Sequence, residues 1–213
     1  MGKENAVAIV EKLKEVYPDA TCALEYHGDP WRLLVMGRLS AQCTDARVNL
    51  VCQKLFEVFP TAEAMAKAEP CEVEPYIFSC GLYKTKARDL VGASRLLVER
   101  FGGVLPNDME SLLTFPGVGR KIANLLLGDI YKMPAIVADT HCIRISCRLG
   151  LVSPKGVTPE KVERTLKGII PPSDQSDFCH RMVWFGREYC PARGFHCESC
   201  PLTSLCDKVL PET

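Results

Sequence analysis

The residues best suited to chemistry lie in the segment Phe115-Pro-Gly-Val-Gly-Arg-Lys-Ile-Ala-Asn124. Gly117 and Gly119 flank Val118 in a predicted turn, and glycines permit positive φ angles and leave backbone amides uncovered. Because these amides precede a predicted helix, at its positive end, they form a seat for an anion such as a phosphate. Lys121 follows in the first helical turn. The segment therefore predicts an anion-binding hairpin with a reactive amine beside it.

Lys121 is a candidate nucleophile. An amine attacks carbon only when it is neutral, and partial burial favours the neutral form. Helical spacing places Lys121 on one face with Asn124 and Gly128, which are small enough to let a substrate approach the amine. Ile122 and Leu125 lie on another face, which is predicted to pack into the core. The ordinary alternative is a solvated lysine near a helix start. The adjacent glycine hairpin argues against this alternative.

Asp139 is a candidate partner for this amine. A carboxylate can handle protons and stabilise the positive charge that develops when an amine attacks. Asp139 followed by Thr140 is equally typical of a helix N-cap. Both interpretations are compatible, because a capping aspartate is held rigidly and can still face a cleft.

A C-terminal cysteine quartet forms a second group of reactive side chains. Its spacing is C-x6-C-x2-C-x5-C, and its members are Cys190, Cys197, Cys200 and Cys206. Four thiolates this close in sequence can enclose one metal centre, and a short loop depends on such a centre to fold. Zinc sites usually combine two short-spaced pairs, whereas this tail has one C-x2-C. The spacing leaves zinc and an iron–sulfur cluster open.

The elements that must position these groups are predicted to be helices. Apolar residues recur at helical spacing along most of the chain. The predicted N-caps are Asp29, Thr44 or Asp45, Thr61, Asn107 with Glu110 as a capping box, and Thr158. The short apolar run 135–138 has no partner for a sheet and is interpreted as an extended connector. The predicted fold class is all-α.

Composition limits the class of protein. The chain has 213 residues, of which 47% are hydrophobic and 24% charged, as in ordinary globular proteins. No apolar run is long enough to span a bilayer, so a cytoplasmic protein is expected. The 26 basic and 26 acidic residues balance, so any affinity for nucleic acid must come from local contacts. The twelve cysteines are expected to be reduced, as core thiols plus one metal site.

The combined motifs resemble endonuclease III, a family of bifunctional DNA glycosylases in the helix-hairpin-helix (HhH-GPD) superfamily. The matching segments occur in the family's order and span nearly the whole chain. They are Leu39-Ser-Ala-Gln-Cys-Thr-Asp45, Gly81-Leu-Tyr-Lys84, Phe115–Asn124, Val137-Ala-Asp-Thr-His141 and the cysteine tail. Two departures are mild: Ile122 replaces a common threonine, and Arg38 interrupts an otherwise apolar helix.

The resemblance implies catalytic roles. Lys121 would attack the sugar C1′ of a flipped, damaged nucleotide, and Asp139 would assist it. The resulting Schiff base would permit β-elimination and strand cleavage. Lysine at this position argues against the adenine-glycosylase and thymine-mismatch branches, and the cysteine tail argues against the 8-oxoguanine branch. Oxidised pyrimidines in double-stranded DNA are therefore the implied substrates.

The resemblance also implies DNA contacts. Residues 117–119 would hold the DNA backbone, and Gln42 and Leu82 would enter the base stack to fill the gap that a flipped nucleotide leaves. A core leucine and a helix-end cap are the ordinary alternatives for Leu82 and Gln42, respectively. His141 would lie near the pocket and Arg193 towards a phosphate. A structural histidine at a helix start and a solvated loop arginine are the corresponding alternatives.

The implied architecture has two helical lobes with a DNA-binding cleft between them. Residues 22–132 would form a six-helix barrel with the helix-hairpin-helix motif. Residues 1–21 and 133–213 would form the iron–sulfur domain, with a [4Fe-4S] cluster on the four tail cysteines. Lys121 and Asp139 would come from opposite lobes. The protein is expected to act as a monomer, associated with the nucleoid if bacterial.

Two other classes of function remain. A non-catalytic DNA-binding module would use the hairpin to hold phosphates, and it would bind distorted duplexes without releasing a base. A ferredoxin-like electron carrier would use the cysteine tail alone. The pairing of Lys121 with Asp139 argues against the first, and the long helical body argues against the second.

Overall fold

The chain is all-helical, as predicted. The computed structural model describes residues 3–209, and within that range it contains helices, turns and no strand. The α-helices are α1 Lys3–Val16, α2 Pro30–Leu39, α3 Asp45–Val58, α4 Ala62–Lys67, α5 Pro70–Ile77, α6 Tyr83–Phe101, α7 Met109–Leu112, α8 Arg120–Asp129, α9 Thr140–Arg148, α10 Pro159–Ile169 and α11 Gln175–Glu188. Three short 3-10 helices cover Phe78–Cys80, Pro172–Asp174 and Thr203–Leu205. The run 135–138 is an extended connector, as predicted.

Side-chain caps determine where most helices begin. Asp29, Thr44, Thr61 and Thr158 each accept a hydrogen bond from a backbone amide of the following first turn, as predicted. The capping box predicted at Asn107 is wrong.

The N-cap of α7 is Asp108, one residue later. Its carboxylate accepts a 2.8 Å hydrogen bond from the amide of Ser111. Because the helix begins at Met109, Asn107 lies too far upstream to reach the open amides of the first turn.

The chain divides into two compact units. The hairpin unit is Ala23–Tyr131, and the cysteine unit consists of the described residues of Met1–Cys22 and Lys132–Thr213. Residues 1–2 and 210–213 of the predicted iron–sulfur domain lie outside the described residues.

The core of the hairpin unit contains α2 and α8, which are buried along most of their length, together with the buried face of α6. Gly37 lets α2 approach α8 closely, since a Cβ atom there would stand 3.4 Å from Ile122 and 3.6 Å from Leu125. Between α2 and α6, the buried indole N–H of Trp31 donates a 3.0 Å hydrogen bond to the hydroxyl of Ser94. The first contact packs α2 on α8, the helix that follows the hairpin, and the second joins α2 to α6.

The core of the cysteine unit is built around α11, whose buried stripe includes Phe178, Met182 and Phe185. The N-terminal helix α1 packs against it, and Arg181 donates a 3.1 Å hydrogen bond to the carbonyl of Tyr17. The Tyr17 hydroxyl donates in turn to Glu188 at 2.7 Å. The N-terminal and C-terminal segments therefore form one unit.

None of the helices within residues 3–209 combines the length and the apolar character needed to cross a bilayer.

Candidate active site and DNA-contacting segments

The predicted hairpin is present between α7 and α8. Gly117 has a φ of +73°, in the left-handed region that glycine tolerates best. Gly119 has a φ of −101° and a ψ of 179° and is the N-cap of α8. Only one of the two glycines therefore uses a positive φ, which corrects the expectation for Gly119. Because the N-cap is a glycine, it has no side chain that could accept a hydrogen bond from the first amides of α8.

The hairpin rests on an ion pair that lies beneath Gly117. Both Nε and Nη2 of Arg38 lie 2.7 Å from the same carboxylate oxygen of Asp89. A Cβ atom at Gly117 would stand 2.4 Å from Arg38 Nε and 2.7 Å from Asp89 Oδ2. Glycine is therefore required here for space as well as for φ. Arg38, the apparent interruption in an apolar helix, supports the hairpin.

A second close approach fixes the hairpin on α6. A Cβ atom at Gly92 would stand 3.2 Å from the ring of Pro116. Phe115 is buried and stacks on Phe101, with ring centroids 5.2 Å apart. The turn thus has little room to shift.

Lys121 stands at the exposed end of a buried helix. Every residue of α8 from Ile122 to Asp129 is buried, whereas Arg120 and Lys121 are exposed. The expectation that Asn124 and Gly128 share an open face with Lys121 is wrong, since Asn124 is only 1% exposed. The helix packs on all sides, so the amine is accessible because it lies in the first turn. Lys121 is not partially buried, contrary to the expectation for a neutral lysine nucleophile.

Two loops carry exposed or half-exposed residues with strained backbones. Gln42 has a φ of +56° and Leu82 a φ of +49°, a region that costs non-glycine residues about 1–2 kcal/mol. Leu82 is 59% exposed, so it is not a core leucine. Gln42 follows Ser40, the C-cap of α2, and precedes Thr44, the N-cap of α3. It therefore caps neither helix. Strain that persists at such residues is typical of functional positions.

Asp139 is the N-cap of α9. Its Oδ1 atom accepts a 2.7 Å hydrogen bond from the amide of Cys142, and its side chain is half-buried. The capping interpretation is therefore correct, and it fixes the orientation of the carboxylate without excluding a chemical role.

His141 is held by its neighbours in the first turn of α9. Arg144 Nη2 lies 3.2 Å from His141 Nδ1 and 3.0 Å from the carbonyl of Cys190. Since a guanidinium only donates, Nδ1 accepts and the ring proton is assigned to Nε2. Gly186 of α11 makes room for this ring, because a Cβ atom there would stand 2.4 Å from Nδ1.

The four tail cysteines line one cavity in the cysteine unit. Ile145, Leu149 and Phe185 supply apolar walls beside Cys190, Cys197, Cys200 and Cys206. All twelve cysteines of the chain are free thiols. The expectation that the eight cysteines outside the tail are core thiols is correct for the four buried ones, and it is wrong for Cys71, which is exposed, and for Cys22, Cys43 and Cys147, which are half-buried. Burial raises the pKa of the Cys200 and Cys206 thiols, so a metal would have to displace their protons. The donor set is suited to a thiolate-bound metal centre.

Arg148 organises the loop that begins this quartet. It donates hydrogen bonds to the carbonyls of Pro191 at 2.7 Å and Ala192 at 3.0 Å, and its guanidinium lies 4.8 Å from the centre of the Phe195 ring. Its Nη1 atom also lies 3.2 Å from the sulfur of Cys190. Arg193, by contrast, is exposed in the same loop.

The predicted site residues fall into two groups. The hairpin unit holds Gln42, Leu82, residues 117–119 and Lys121, and the cysteine unit holds Asp139, His141, Arg193 and the four tail cysteines. Sequence patterns did not identify the supporting residues, which are Asp89, Arg144 and Arg148. The sequence offered one signal of this support, which is a charged residue in an otherwise apolar helix. That signal marked Arg38 as irregular but did not indicate its role.

The two hairpin glycines should respond differently to substitution. Gly117→Ala is expected to lower the free energy of unfolding by about 2 kcal/mol or more, because it combines a positive φ with overlap of the Arg38–Asp89 pair. Gly119→Ala is the matched control, since φ is negative there and an added Cβ atom would have no neighbour within 4 Å. Urea unfolding of both variants provides the measurement. Equal stability of the two variants would contradict the packing described for Gly117.

Comparison with known proteins agrees with this geometry. Residues 35–172 match the family described as HhH-GPD superfamily base excision DNA repair protein. Endonuclease III of Synechocystis is 44% identical over 205 residues, which cover 96% of this chain and 92% of the relative. Two solved structures, a non-covalent endonuclease III–DNA complex and a trapped endonuclease III–DNA covalent intermediate, are each 39% identical with a TM-score of 0.91. Each match covers 98% of this chain, together with 96% of the first solved chain and 97% of the second. This chain therefore belongs to the HhH-GPD superfamily of base excision DNA repair proteins.

Proposed function

We propose that the protein is a bifunctional DNA glycosylase and abasic-site lyase of base excision repair that removes oxidised pyrimidines. The observation that carries the proposal is the exposed amine of Lys121 in the first turn of an otherwise buried helix, immediately after the hairpin. A rigid helix fixes the backbone from which the amine projects, so that only the lysine side chain has to be ordered when the substrate binds. A relative trapped as a covalent intermediate with DNA supports the same chemistry.

Lys121 is the nucleophile of the proposed reaction. Its neutral amine forms a bond to C1′ of the damaged nucleotide, and the bond from C1′ to the base breaks. The base leaves with the electron pair of that bond and takes up a proton. The attacking nitrogen loses a proton, and opening of the sugar ring, in which the C1′–O4′ bond breaks and O4′ takes up a proton, produces an iminium between Lys121 and C1′. Loss of a proton from C2′ then expels the 3′ phosphate by β-elimination. Hydrolysis of the iminium restores the lysine.

Asp139 assists this step through its carboxylate. The negative charge stabilises the positive charge that develops at the sugar and at the attacking nitrogen, and it can accept a proton from that nitrogen. The hydrogen bond from the amide of Cys142 keeps the carboxylate in one orientation. The capping role and the chemical role therefore support each other.

The hairpin and the two strained loops hold the DNA. The uncapped amides at the start of α8 and the backbone of residues 117–119 bind a phosphate. Gln42 and Leu82 fill the space that the extruded nucleotide leaves in the base stack. Both side chains are exposed to solvent, so they can reach the DNA. We infer that His141 contacts the bound nucleotide and that Arg193 contacts a phosphate. Affinity depends on salt despite the balanced net charge, because these contacts are local.

The cysteine unit holds a [4Fe-4S] cluster. The cluster would be bound by the thiolates of Cys190, Cys197, Cys200 and Cys206, which line one cavity with apolar walls. Its contribution is structural, because four bonds to one centre order the loop that carries Arg193. Arg148 holds the same loop from the protein side.

Replacement of the nucleophile provides the first test. With duplex DNA containing an oxidised pyrimidine, borohydride should reduce the iminium of the wild-type protein to a stable covalent adduct. Lys121→Ala should form no adduct and should lose strand cleavage by at least about 1,000-fold, because covalent catalysis has been removed. Lys54→Met, a change at an exposed lysine of α3, serves as the control for loss of charge. An adduct that persists in Lys121→Ala would place the nucleophile elsewhere. Binding to distorted duplexes without base release by the wild type would favour the non-catalytic alternative.

Substitution of Asp139 separates its two roles. Asparagine is also a favourable N-cap, so Asp139→Asn should keep the stability and the DNA affinity of the wild type while base release slows by about 100-fold or more. Asp139→Ala removes both the cap and the charge and should in addition lose about 1 kcal/mol of stability. Single-turnover base release and thermal unfolding provide the two readouts. Unchanged base release in Asp139→Asn would leave Asp139 as a cap only.

The cluster can be tested on the purified protein. We expect a brown colour, broad visible absorbance and about four iron and four sulfide ions per chain. Cys197→Ser should lose this absorbance, whereas Cys71→Ser, at an exposed position of α5, should retain it. A colourless protein that contains zinc would show that the centre is zinc.

A further inference from the structure

Lys86 is a buried charged residue that the proposed reaction does not use. It lies in the first part of α6 and has no exposed surface. Its ammonium donates hydrogen bonds to three backbone carbonyls, those of Leu39 at 2.8 Å, Ala41 at 2.7 Å and Cys80 at 2.7 Å. Three acceptors at these distances require three N–H groups, which only the charged form of lysine has.

The three carbonyls belong to two separate segments of the chain. Leu39 ends α2, and Ala41 immediately precedes Gln42. Cys80 ends a 3-10 helix and is separated from Leu82 by Gly81 alone. One ammonium therefore joins the segment before Gln42 to the segment before Leu82. Its positive charge also lies at the C-terminal end of α2, where helix carbonyls otherwise lack partners.

The backbone of Lys86 contributes to the same arrangement. Its amide donates a 3.0 Å hydrogen bond to the carbonyl of Leu82, while its side chain holds the carbonyl of Cys80. The intervening residues Gly81 and Leu82 both have positive φ. The strained turn is thus held on both sides by a single residue.

The local environment explains why the charge is tolerated. Burial lowers the pKa of Lys86, and the nearby Cys80 and Cys43 sulfurs act in the opposite direction. Charge-assisted hydrogen bonds to three carbonyls replace the hydration that burial removes. A buried charge satisfied in this way ties two loops together more specifically than apolar packing would.

We propose that Lys86 is a positioning residue that holds the loops of Gln42 and Leu82 in place for entry into duplex DNA. This inference rests on the proposed function. A flipped nucleotide leaves a gap only in a base-paired duplex, so Lys86 matters for duplex substrates. It is not needed for the attack of Lys121 on a single-stranded abasic site. Preorganisation lowers the cost of ordering both loops when DNA binds.

The test compares duplex and single-stranded substrates in the same variant. Lys86→Met removes all three donors but keeps an unbranched side chain. We expect borohydride trapping on a duplex abasic site to slow by about tenfold or more, while trapping on the single-stranded abasic oligonucleotide stays within about twofold of the wild type. Lys54→Met makes the same change of charge on an exposed part of α3 and should leave both rates unchanged.

A double-mutant cycle tests the route of the effect. If Lys86 acts through the two loops, Lys86→Met should slow duplex trapping by less than about threefold when Gln42→Ala and Leu82→Ala are already present. A full tenfold loss in that background would overturn the inference, as would parallel losses on duplex and single-stranded DNA. If the methionine variant does not fold, Lys86→Gln, which keeps two N–H donors, is tested instead. The same ratio of trapping rates on duplex and single-stranded DNA is measured.

The wild-type protein separates this inference from the proposed function. If the wild type forms no adduct on either substrate, the proposed function fails and this inference fails with it. If the wild type forms adducts on both and Lys86→Met keeps the wild-type ratio, only the role of Lys86 is overturned.

Discussion

The close contact between the hairpin backbone and the Arg38–Asp89 ion pair is the constraint on which the site depends. The pair lies directly under Gly117 and leaves no room for a side chain there. Pro116 also lies near Gly92 of α6, where an added Cβ atom would stand 3.2 Å from the proline ring. These contacts leave the turn little room to shift, so they hold the backbone at the start of α8, from which the side chain of Lys121 projects.

The burial of α8 complements this constraint. A helix that is buried from its third residue to its last cannot rotate or slide without disrupting close packing. Exposure is restricted to the first turn, where the backbone amides are uncapped and the positive end of the helix dipole lies. Binding of an anion and presentation of the amine therefore arise from the same few residues.

The loops that carry Gln42 and Leu82 are held in place by hydrogen bonds to a buried charge and not by close packing. Both residues have positive φ, so local interactions do not favour their conformations. The buried ammonium of Lys86 offsets this cost, because its three hydrogen bonds hold the neighbouring carbonyls in one arrangement. In the cysteine unit, Arg144 and Arg148 act similarly, since each donates to carbonyls of the loop that begins at Cys190. Buried or half-buried cations thus hold the irregular segments, and apolar packing holds the helices.

The sequence by itself determined the all-α class, most helix starts, the hairpin, the candidate nucleophile and the cysteine quartet. These features depend on local rules, because caps, glycine turns and helical periodicity involve residues close together in the chain. The sequence misplaced the cap of α7 by one residue and assigned an open face to Asn124, which is buried. Only the tertiary structure revealed the pairing of Arg38 with Asp89 and the three carbonyls around Lys86. Those partners are 51, 47, 45 and 6 residues apart in sequence, and three of the four contacts exist only because helix packing brings distant segments together.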